Sequence, residues 1–208
     1  MVCLTYIYLT IILNAIEKYG SLSDEELVKA ICDNNNTLLF EILYDRYARM
    51  VYNKCLGFSK STAEAEDLTQ DIFLKLFVKL SSFKGNSKFS TWLYAFTYNH
   101  CVNYVNRNTA KRIEKKSVPA EDYLEGSIDI PDNDHEINQL KVDKLKEALD
   151  LISPEEKMIL LLKYQDGLSI KELSNLLEIG DSAVKMRLKR SKEKLINVYN
   201  EAAYGESI

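Results

Sequence analysis

The sequence has little of what tight turns and catalytic sites require. Only 7 Gly and 3 Pro occur among 208 residues, which favours helices over a fold with many tight turns. No phosphate-binding loop, dinucleotide fingerprint, zinc-protease helix or serine-nucleophile motif is present. The two histidines, His100 and His135, have no flanking set of metal ligands. We therefore expect a helical protein that is not an enzyme and that holds no metal ion or cofactor.

The cysteines lack the spacing of a metal site or of a redox motif. None of the four belongs to a Cys-x-x-Cys pair, which zinc sites and thioredoxin-like motifs use. We interpret them as reduced thiols of a cytoplasmic protein: Cys3, Cys32, Cys55 and Cys101.

The net charge excludes a protein that attracts nucleic acid over its whole surface. The formal charge is −4 and the pI is about 5.4, so contacts with nucleic acid must come from local basic patches. Hydrophobic residues make up 46% of the chain, which is enough for the cores of one or two domains.

Residues 1–22 are the least typical part of the chain. The first sixteen carry no charge; they are too few for a bilayer span of about 20 residues and lack the positive start of a signal peptide. They are a helix that docks on the core, a weak membrane-binding or partner-binding segment, or an extension from a wrongly chosen start. We favour the first and the last, and expect no stable membrane insertion.

Residues 168–195 read as two helices joined by a tight turn. Ser169 and Glu172 form a capping box that starts the first helix, and residues 178–181 break the pattern before the second. The second helix carries six cations: Lys185, Arg187, Lys189, Arg190, Lys192 and Lys194. A short helix that packs across another with basic residues outward suits the major groove of DNA. The alternative is a helical hairpin whose basic face is only solvated.

The first half of the chain predicts four helices. Capping boxes begin at Ser23 and Ser61, and apolar residues recur at helical spacing over residues 37–56 and 62–80. Asp67, Gln70 and Asp71 share one face of the third helix. They are either acids that complement the helix dipole or a polar patch for a basic partner.

The fourth helix, residues 90–108, is unusually aromatic. Trp92, Tyr94, Phe96, Tyr98 and Tyr104 lie among asparagines, with five cations following from Arg107 to Lys116. Exposed rings beside amides and cations suit stacking on unpaired bases. The alternative is an aromatic-rich core helix.

An acidic segment separates this half from a second helical domain. Residues 117–136 contain seven Asp or Glu and no Lys or Arg, so we expect an extended, mobile linker. Beyond it, Ser153 to Glu156 caps one helix and Gly167 ends it in a left-handed conformation. The prediction is an all-α protein whose second domain has four helices with a helix-turn-helix. Its segments are an N-terminal extension, a first domain, the linker, a second domain and a fraying tail: 1–22, 23–116, 117–136, 137–201 and 202–208.

Three segments in this order resemble the extracytoplasmic-function group of the bacterial sigma-70 family. Residues 65–77 read AEDLTQDIFLKLF, similar to the family's grip on the polymerase β′ clamp helices. Residues 81–105 read SSFKGNSKFSTWLYAFTYNHCVNYV, similar to its promoter-melting and −10-reading segment. Residues 149–195 read LDLISPEEKMILLLKYQDGLSIKELSNLLEIGDSAVKMRLKRSKEKL, similar to its −35-reading domain.

The resemblance implies a sigma factor that directs core RNA polymerase to promoters and opens the DNA. Its implied partners are the β′ clamp helices, the β flap, promoter DNA and an anti-sigma factor. The implied polymerase contacts are Asp67, Gln70 and Asp71. The implied contacts with the melted −10 strand are Phe83, Lys84, Trp92, Asn99, Asn103, Arg107, Lys111 and Arg112. The implied −35 contacts are Ser182, Lys185, Arg187, Lys189 and Arg190.

Two other functions remain open at this point. A stand-alone helix-turn-helix regulator needs a dimerisation or ligand domain, and the first domain looks like neither. A helical adaptor without DNA binding needs neither the 67–71 face nor the aromatic segment.

Overall fold

A computed structural model describes residues 19–34, 36–115 and 135–204. Over these ranges the chain forms eight α-helices and no β-strand, which confirms the predicted all-α class. It divides into two compact units, Met1–Cys101 and Val102–Ile208. The acidic linker lies almost wholly outside the described residues, and so do residues 1–18 and 205–208, so the predicted segment boundaries stay predictions.

None of the helices within the described ranges is long and apolar enough to cross a membrane.

The first helices begin close to the predicted positions. The bounds are α1 Asp24–Asn34, α2 Thr37–Leu56, α3 Thr62–Lys79 with a 3₁₀ turn at Leu80–Ser82, and α4 Phe89–Lys115. At α1 the capping box is reciprocal, because Ser23 N–H donates to Glu26 Oε2 at 2.8 Å and Glu26 N–H donates to Ser23 Oγ at 3.3 Å.

The capping box predicted at Ser61 is only half formed. Ser61 Oγ accepts from Glu64 N–H at 3.2 Å, as expected, but Glu64 Oε2 accepts from Lys60 N–H at 2.9 Å. The Glu64 carboxylate therefore accepts from the residue before the N-cap and not from the N-cap Ser61 itself. The helix start was therefore correct and the partner of Glu64 was wrong.

α4 is longer at both ends than the predicted 90–108. It runs from Phe89 to Lys115, because no Gly or Pro interrupts this stretch of sequence. The backbone from Arg107 to Lys115 therefore belongs to the same helix as the aromatic residues, instead of following that helix as predicted.

The core of the first unit is mostly apolar and encloses a cation. α2 packs against α1 and α3, and Leu27, Leu43 and Ile72 are fully buried. Lys54, only 5% exposed, donates from Nζ to the Tyr98 hydroxyl at 3.0 Å. It also lies 4.5 Å from the centroid of the Tyr98 ring, which offsets part of its desolvation.

The second unit is organised around its last helix. The bounds are α5 His135–Leu151, α6 Pro154–Leu160 with a π turn at Leu161–Gln165, α7 Ile170–Leu177 and α8 Asp181–Tyr204. α8 packs against α5, α6 and α7, and the four helices match the predicted count. Gly167 takes the predicted left-handed conformation at φ 73°.

Candidate functional site

The outer face of α3 carries the three polar residues that the sequence singled out. Ala65, Leu68 and Ile72 are buried, and at about 100° per residue Asp67, Gln70 and Asp71 fall on the opposite side. Asp67 and Gln70 are exposed and Asp71 is partly exposed. The structure therefore brings these three side chains together on one accessible surface.

The helix dipole does not account for this polar face. At the start of α3, Ser61 accepts from Glu64 N–H and Glu64 accepts from Lys60 N–H. The effect of the helix dipole on charged side chains falls off within the first turn. Asp71 lies in the third turn and forms an ion pair with Lys75. Exposed pairs of this kind contribute little to stability, so the fold itself does not require these acids.

The same stripe of α3 continues as exposed apolar residues, which sequence reasoning missed. Leu74 is 70% exposed and Val78 is 78% exposed, and they lie seven and eleven residues after Asp67, on its side of the helix. Phe77 flanks them and packs edge-on against Phe40 at 5.0 Å between ring centroids. A helical-wheel comparison of these positions with buried Leu68 and Ile72 would have found them.

We call the stripe of Asp67, Gln70, Asp71, Leu74 and Val78 the α3 face. It combines carboxylates with large exposed apolar side chains, a composition that suits a protein partner more than water.

α4 separates its aromatic residues into an inner and an outer set. Phe89 and Tyr98 are buried in the core, with Leu93 and Cys101 between and beyond them. Trp92, Phe96, Asn99, Asn103 and Arg107 follow one another at steps of three or four on the opposite side and are partly or fully exposed. The predicted core helix and the predicted stacking surface thus both exist, on different sides of α4.

Four rings form a ladder along the outer side of α4. Phe83 and Trp92 lie 5.5 Å apart, Trp92 and Phe96 stack at 5.3 Å, and Phe96 meets His100 edge-on at 4.6 Å, all between ring centroids. Buried Phe89 supports the ladder at 5.4 Å from Phe83 and 5.8 Å from Trp92. The rings are therefore held in place from below while their outer edges remain accessible.

We call Phe83, Trp92, Phe96 and His100 the aromatic ladder. Phe96 and His100 are additions to the −10 contacts predicted from sequence, where Phe96 was named only among the aromatic residues of the helix. The buried row on the inner side of α4 runs through Leu93, Thr97 and Cys101, at a step of four residues from Leu93.

The polar neighbours of the ladder are open to solvent. Asn99 and Asn103 are exposed, so neither is a buried amide that the core satisfies. Arg107 is exposed and its Nε donates to the Asn103 carbonyl at 3.1 Å. Lys84 is also exposed, in the loop before α4. The backbones of Lys111 and Arg112 belong to α4, but their side chains lie outside the described residues.

α8 is anchored on one side and open on the other. Val184, Leu188 and Ser191 are buried. Opposite them, within the first three turns, lie four exposed residues that we call the recognition face: Ser182, Met186, Lys189 and Arg190.

The structure does not place all of the predicted −35 residues on this face. Lys185 and Arg187 are exposed, but their positions fall on the two flanks of α8, each roughly a quarter turn or more from its centre. When a helix lies in a DNA groove, cations on its flanks contact the phosphates that border the groove, whereas residues at its centre contact the base edges. Ser182, Lys189 and Arg190 are the predicted residues that share the centre.

The turn before α8 is fixed by an unusual residue. Glu178 takes a left-handed conformation, with φ 53° and ψ 39°, where Gly or Asn is the ordinary choice. Ser174 holds this turn, because its carbonyl accepts from Ile179 N–H at 3.2 Å and its hydroxyl donates to the Ile179 carbonyl at 2.5 Å. α8 then begins at Asp181, the last residue of the predicted break.

Lys194 ties α8 to the start of α6 and does not share the recognition face. Its Nζ lies 3.1 Å from Glu156 Oε2, the carboxylate that completes the capping box with Ser153. Burial raises the pKa of Glu156, but the Ser153 hydrogen bonds and the Lys194 ammonium outweigh burial and hold it below the ordinary carboxyl value.

The chemistry of these surfaces is that of binding. Within the described ranges, no group of His, Cys, Asp and Glu side chains is placed to hold a metal ion. What the two units present is a mixed acidic and apolar face, a supported row of rings beside amides, and a short helix with cations and a hydroxyl outward.

Comparisons with known proteins match both units. Residues 43–111 match the family model described as Sigma-70 region 2, and residues 143–195 match Sigma-70, region 4. The chain is 27% identical over 171 residues to the ECF RNA polymerase sigma factor SigW of Bacillus subtilis, covering 75% of this chain and 86% of that protein. It is 28% identical over 187 residues to the ECF RNA polymerase sigma-E factor of Escherichia coli, covering 85% and 94%.

Solved structures share the fold. A structure titled CnrH in complex with the cytosolic domain of CnrY matches with TM-score 0.57 and 18% identity, over 88% of this chain and 99% of that one. The sigma factor RpoE in complex with the anti-sigma factor NepR from Bartonella quintana matches with TM-score 0.55 and 19% identity, over 77% and 96%.

Proposed function

Because this chain belongs to the extracytoplasmic-function group of the sigma-70 family and is therefore a transcription initiation factor, we propose a role for each of its three surfaces. The α3 face binds core RNA polymerase, the aromatic ladder and its amides hold the melted −10 strand, and the recognition face reads the −35 element. As a member of this family the chain is not an enzyme.

The α3 face supports the polymerase role. A carboxylate pair beside Leu74 and Val78 suits a partner helix that carries both cations and apolar side chains. We propose the clamp helices of the β′ subunit as that partner, with Leu74 and Val78 as added apolar contacts. The β flap remains the proposed partner of the second unit.

The outer side of α4 carries the proposal for strand opening. Unpaired bases stack on aromatic rings for about 1–3 kcal/mol each, and the amides of Asn99 and Asn103 supply donors and acceptors for base edges. Arg107 and Lys84 lie beside them for phosphate contacts. A regulator that binds only duplex DNA needs no such surface. The proposal of strand opening therefore rests on the exposed aromatic ladder, which lies in the first unit, whereas the helix-turn-helix lies in the second.

An anti-sigma factor is the further proposed partner. RpoE from Bartonella quintana was solved with the anti-sigma factor NepR, and this chain shares its fold. By that analogy we propose that a protein inhibitor holds this chain away from core polymerase and releases it on a signal.

A direct binding measurement tests the proposed function. The full chain, labelled on the exposed thiol of Cys32, is titrated with purified bacterial core polymerase and followed by fluorescence anisotropy. We expect saturable 1:1 binding that unlabelled chain displaces. A helical adaptor or a stand-alone DNA-binding regulator predicts no binding to core polymerase, and that result would contradict the proposal.

A further inference from the structure

One residue of the recognition face does not fit the polar chemistry around it. Met186 is 51% exposed, although three of its four neighbours at three and four residues' distance are polar, namely Ser182, Lys189 and Arg190, and the fourth is the small Ala183. An isolated exposed apolar residue is common and by itself means little. Met186, however, lies at the centre of the recognition face, where we propose that base contacts are made.

The geometry of α8 places Met186 where base edges would be met. It is the sixth residue of the helix, and the first turns of such a helix enter the major groove. Val184 and Leu188 on the inner side are 0% and 7% exposed, which fixes the rotation of α8 on the unit. Met186 therefore points away from the core and into the space that DNA would occupy.

The chemistry of the recognition face leaves one task to Met186, because the methyl group of exposed Ala183 lies further toward the flank than any residue of that face. Lys189 and Arg190 donate hydrogen bonds, which suit the acceptors of guanine, and the Ser182 hydroxyl serves several bases. The 5-methyl group of thymine is the one major-groove feature that is read by apolar contact. A flexible, polarisable thioether fits that methyl group well.

We propose that Met186 is a specificity-determining residue that contacts the 5-methyl group of a thymine in the −35 element. This inference rests on the proposed function, because it requires that α8 enters promoter DNA. It goes beyond that function by assigning one base identity to one side chain. It also predicts that the thymine lies next to the positions that Lys189 and Arg190 read.

The test begins with the holoenzyme of core polymerase and the full chain. It selects bound promoters from a library with a randomised −35 segment, and each thymine of the selected element is then replaced by deoxyuridine. This replacement removes the methyl group and leaves the hydrogen-bonding edge unchanged. We expect one position at which uracil weakens wild-type binding by about fourfold, the value for one methyl group transferred from water.

Two variants decide whether Met186 is the reader. With Met186→Ser the same uracil replacement should have no effect, and with Met186→Leu the loss should return, because leucine restores an apolar contact. If no thymine shows a methyl effect in the wild type, or if Met186→Ser shows the same loss, the inference is wrong while promoter binding stands. If the holoenzyme selects no −35 element, the proposed function of the second unit fails together with the inference.

Discussion

The backbone N–H of Phe89 donates to Glu25 Oε1 at 2.9 Å, across 64 residues of sequence. A carboxylate of α1 thereby caps the first turn of α4, where Phe89 supports the aromatic ladder. The sequence offered Glu25 only as part of its own helix start. The contact links the stability of the first unit to the position of the rings that we assign to the −10 strand.

Removal of this long-range cap should destabilise the first unit. We expect Glu25→Ala to lower the free energy of unfolding by about 0.5–2 kcal/mol, the usual loss for a helix cap. Trp92 is the single tryptophan of the chain and sits in the ladder, so its fluorescence in a urea titration reports on this unit. Glu25→Gln retains an acceptor and should lose less. A midpoint that does not move in Glu25→Ala would show that the contact is unimportant.

Reversal of charge on the α3 face should weaken polymerase binding without unfolding the protein. Asp67→Lys and Asp71→Lys alter exposed carboxylates, so we expect far-UV circular dichroism and thermal midpoint to stay close to wild type. Affinity for core polymerase should fall, measured by the anisotropy titration above. Glu66→Lys makes the same charge change on the flank of α3 and serves as the control. Equal affinities for Asp71→Lys and Glu66→Lys would remove these residues from the interface.

Asn99 should matter for opening and not for folding. Its side chain is exposed, so Asn99→Ala should change stability by less than about 0.5 kcal/mol. Loss of a hydrogen bond to an unpaired base should cost about 0.5–1.5 kcal/mol of open-complex stability, measured with 2-aminopurine in the −10 element. Asn108→Ala removes the same amide from another side of α4 and should leave opening unchanged. A variant that melts early and binds every promoter proportionally less would assign Asn99 a structural role.

Substitutions on and beside the recognition face should distinguish residues that contact bases from residues that contact phosphates. We expect Lys189→Ala or Arg190→Ala to cost about 1–3 kcal/mol per lost base contact and to relax the −35 preference. Lys185→Ala, on the flank, should weaken native and scrambled elements alike. Lys194→Ala breaks the ion pair with Glu156 and should cost the fold only a few tenths of a kcal/mol with DNA binding nearly unchanged. Losses that are the same for native and scrambled −35 sequences in all variants would refute base reading.

The turn before α8 should become more stable with glycine at position 178. Glu178 has a Cβ atom, so its left-handed conformation costs about 1–2 kcal/mol. Glycine removes this cost, but it also raises the conformational entropy of the unfolded chain, which offsets part of the gain. We expect Glu178→Gly to stabilise the second unit by about 0.5–1 kcal/mol in thermal unfolding. Glu178→Ala keeps the strain and should not stabilise it. Destabilisation by glycine would show that the left-handed turn is not adopted in solution.

Local signals in the sequence predicted most of this fold. Capping boxes at Ser23, Ser153 and Ser169 and the glycine at 167 each fix a backbone conformation within a few residues, and all four are found in the structure. The resemblance to the sigma-70 family is likewise confirmed by matches to both of its regions. These features were accessible because short-range hydrogen bonds and periodicity determine them.

Features that depend on distant residues could not be predicted in this way. The Glu25 contact with Phe89 and the burial of Lys54 against Tyr98 require the packed helices to be known. The split of the α4 aromatics also depends on which side meets the core, since aromatic residues occur all around that helix. Leu74 and Val78 are different, because their exposure follows from a helical wheel with Leu68 and Ile72 on the buried side, although not from their residue type.

Reconstituted transcription shows whether this chain directs RNA polymerase to promoters. Purified core polymerase is incubated with fragmented genomic DNA and nucleotides, with and without this chain, and the 5′ ends of the transcripts are mapped. We expect start sites that appear only when the chain is present and that share one −35 and one −10 element. Asn99→Ala and Arg190→Ala should give fewer transcripts from these starts while they retain core binding. Transcripts that are the same with and without the chain would contradict the proposed function.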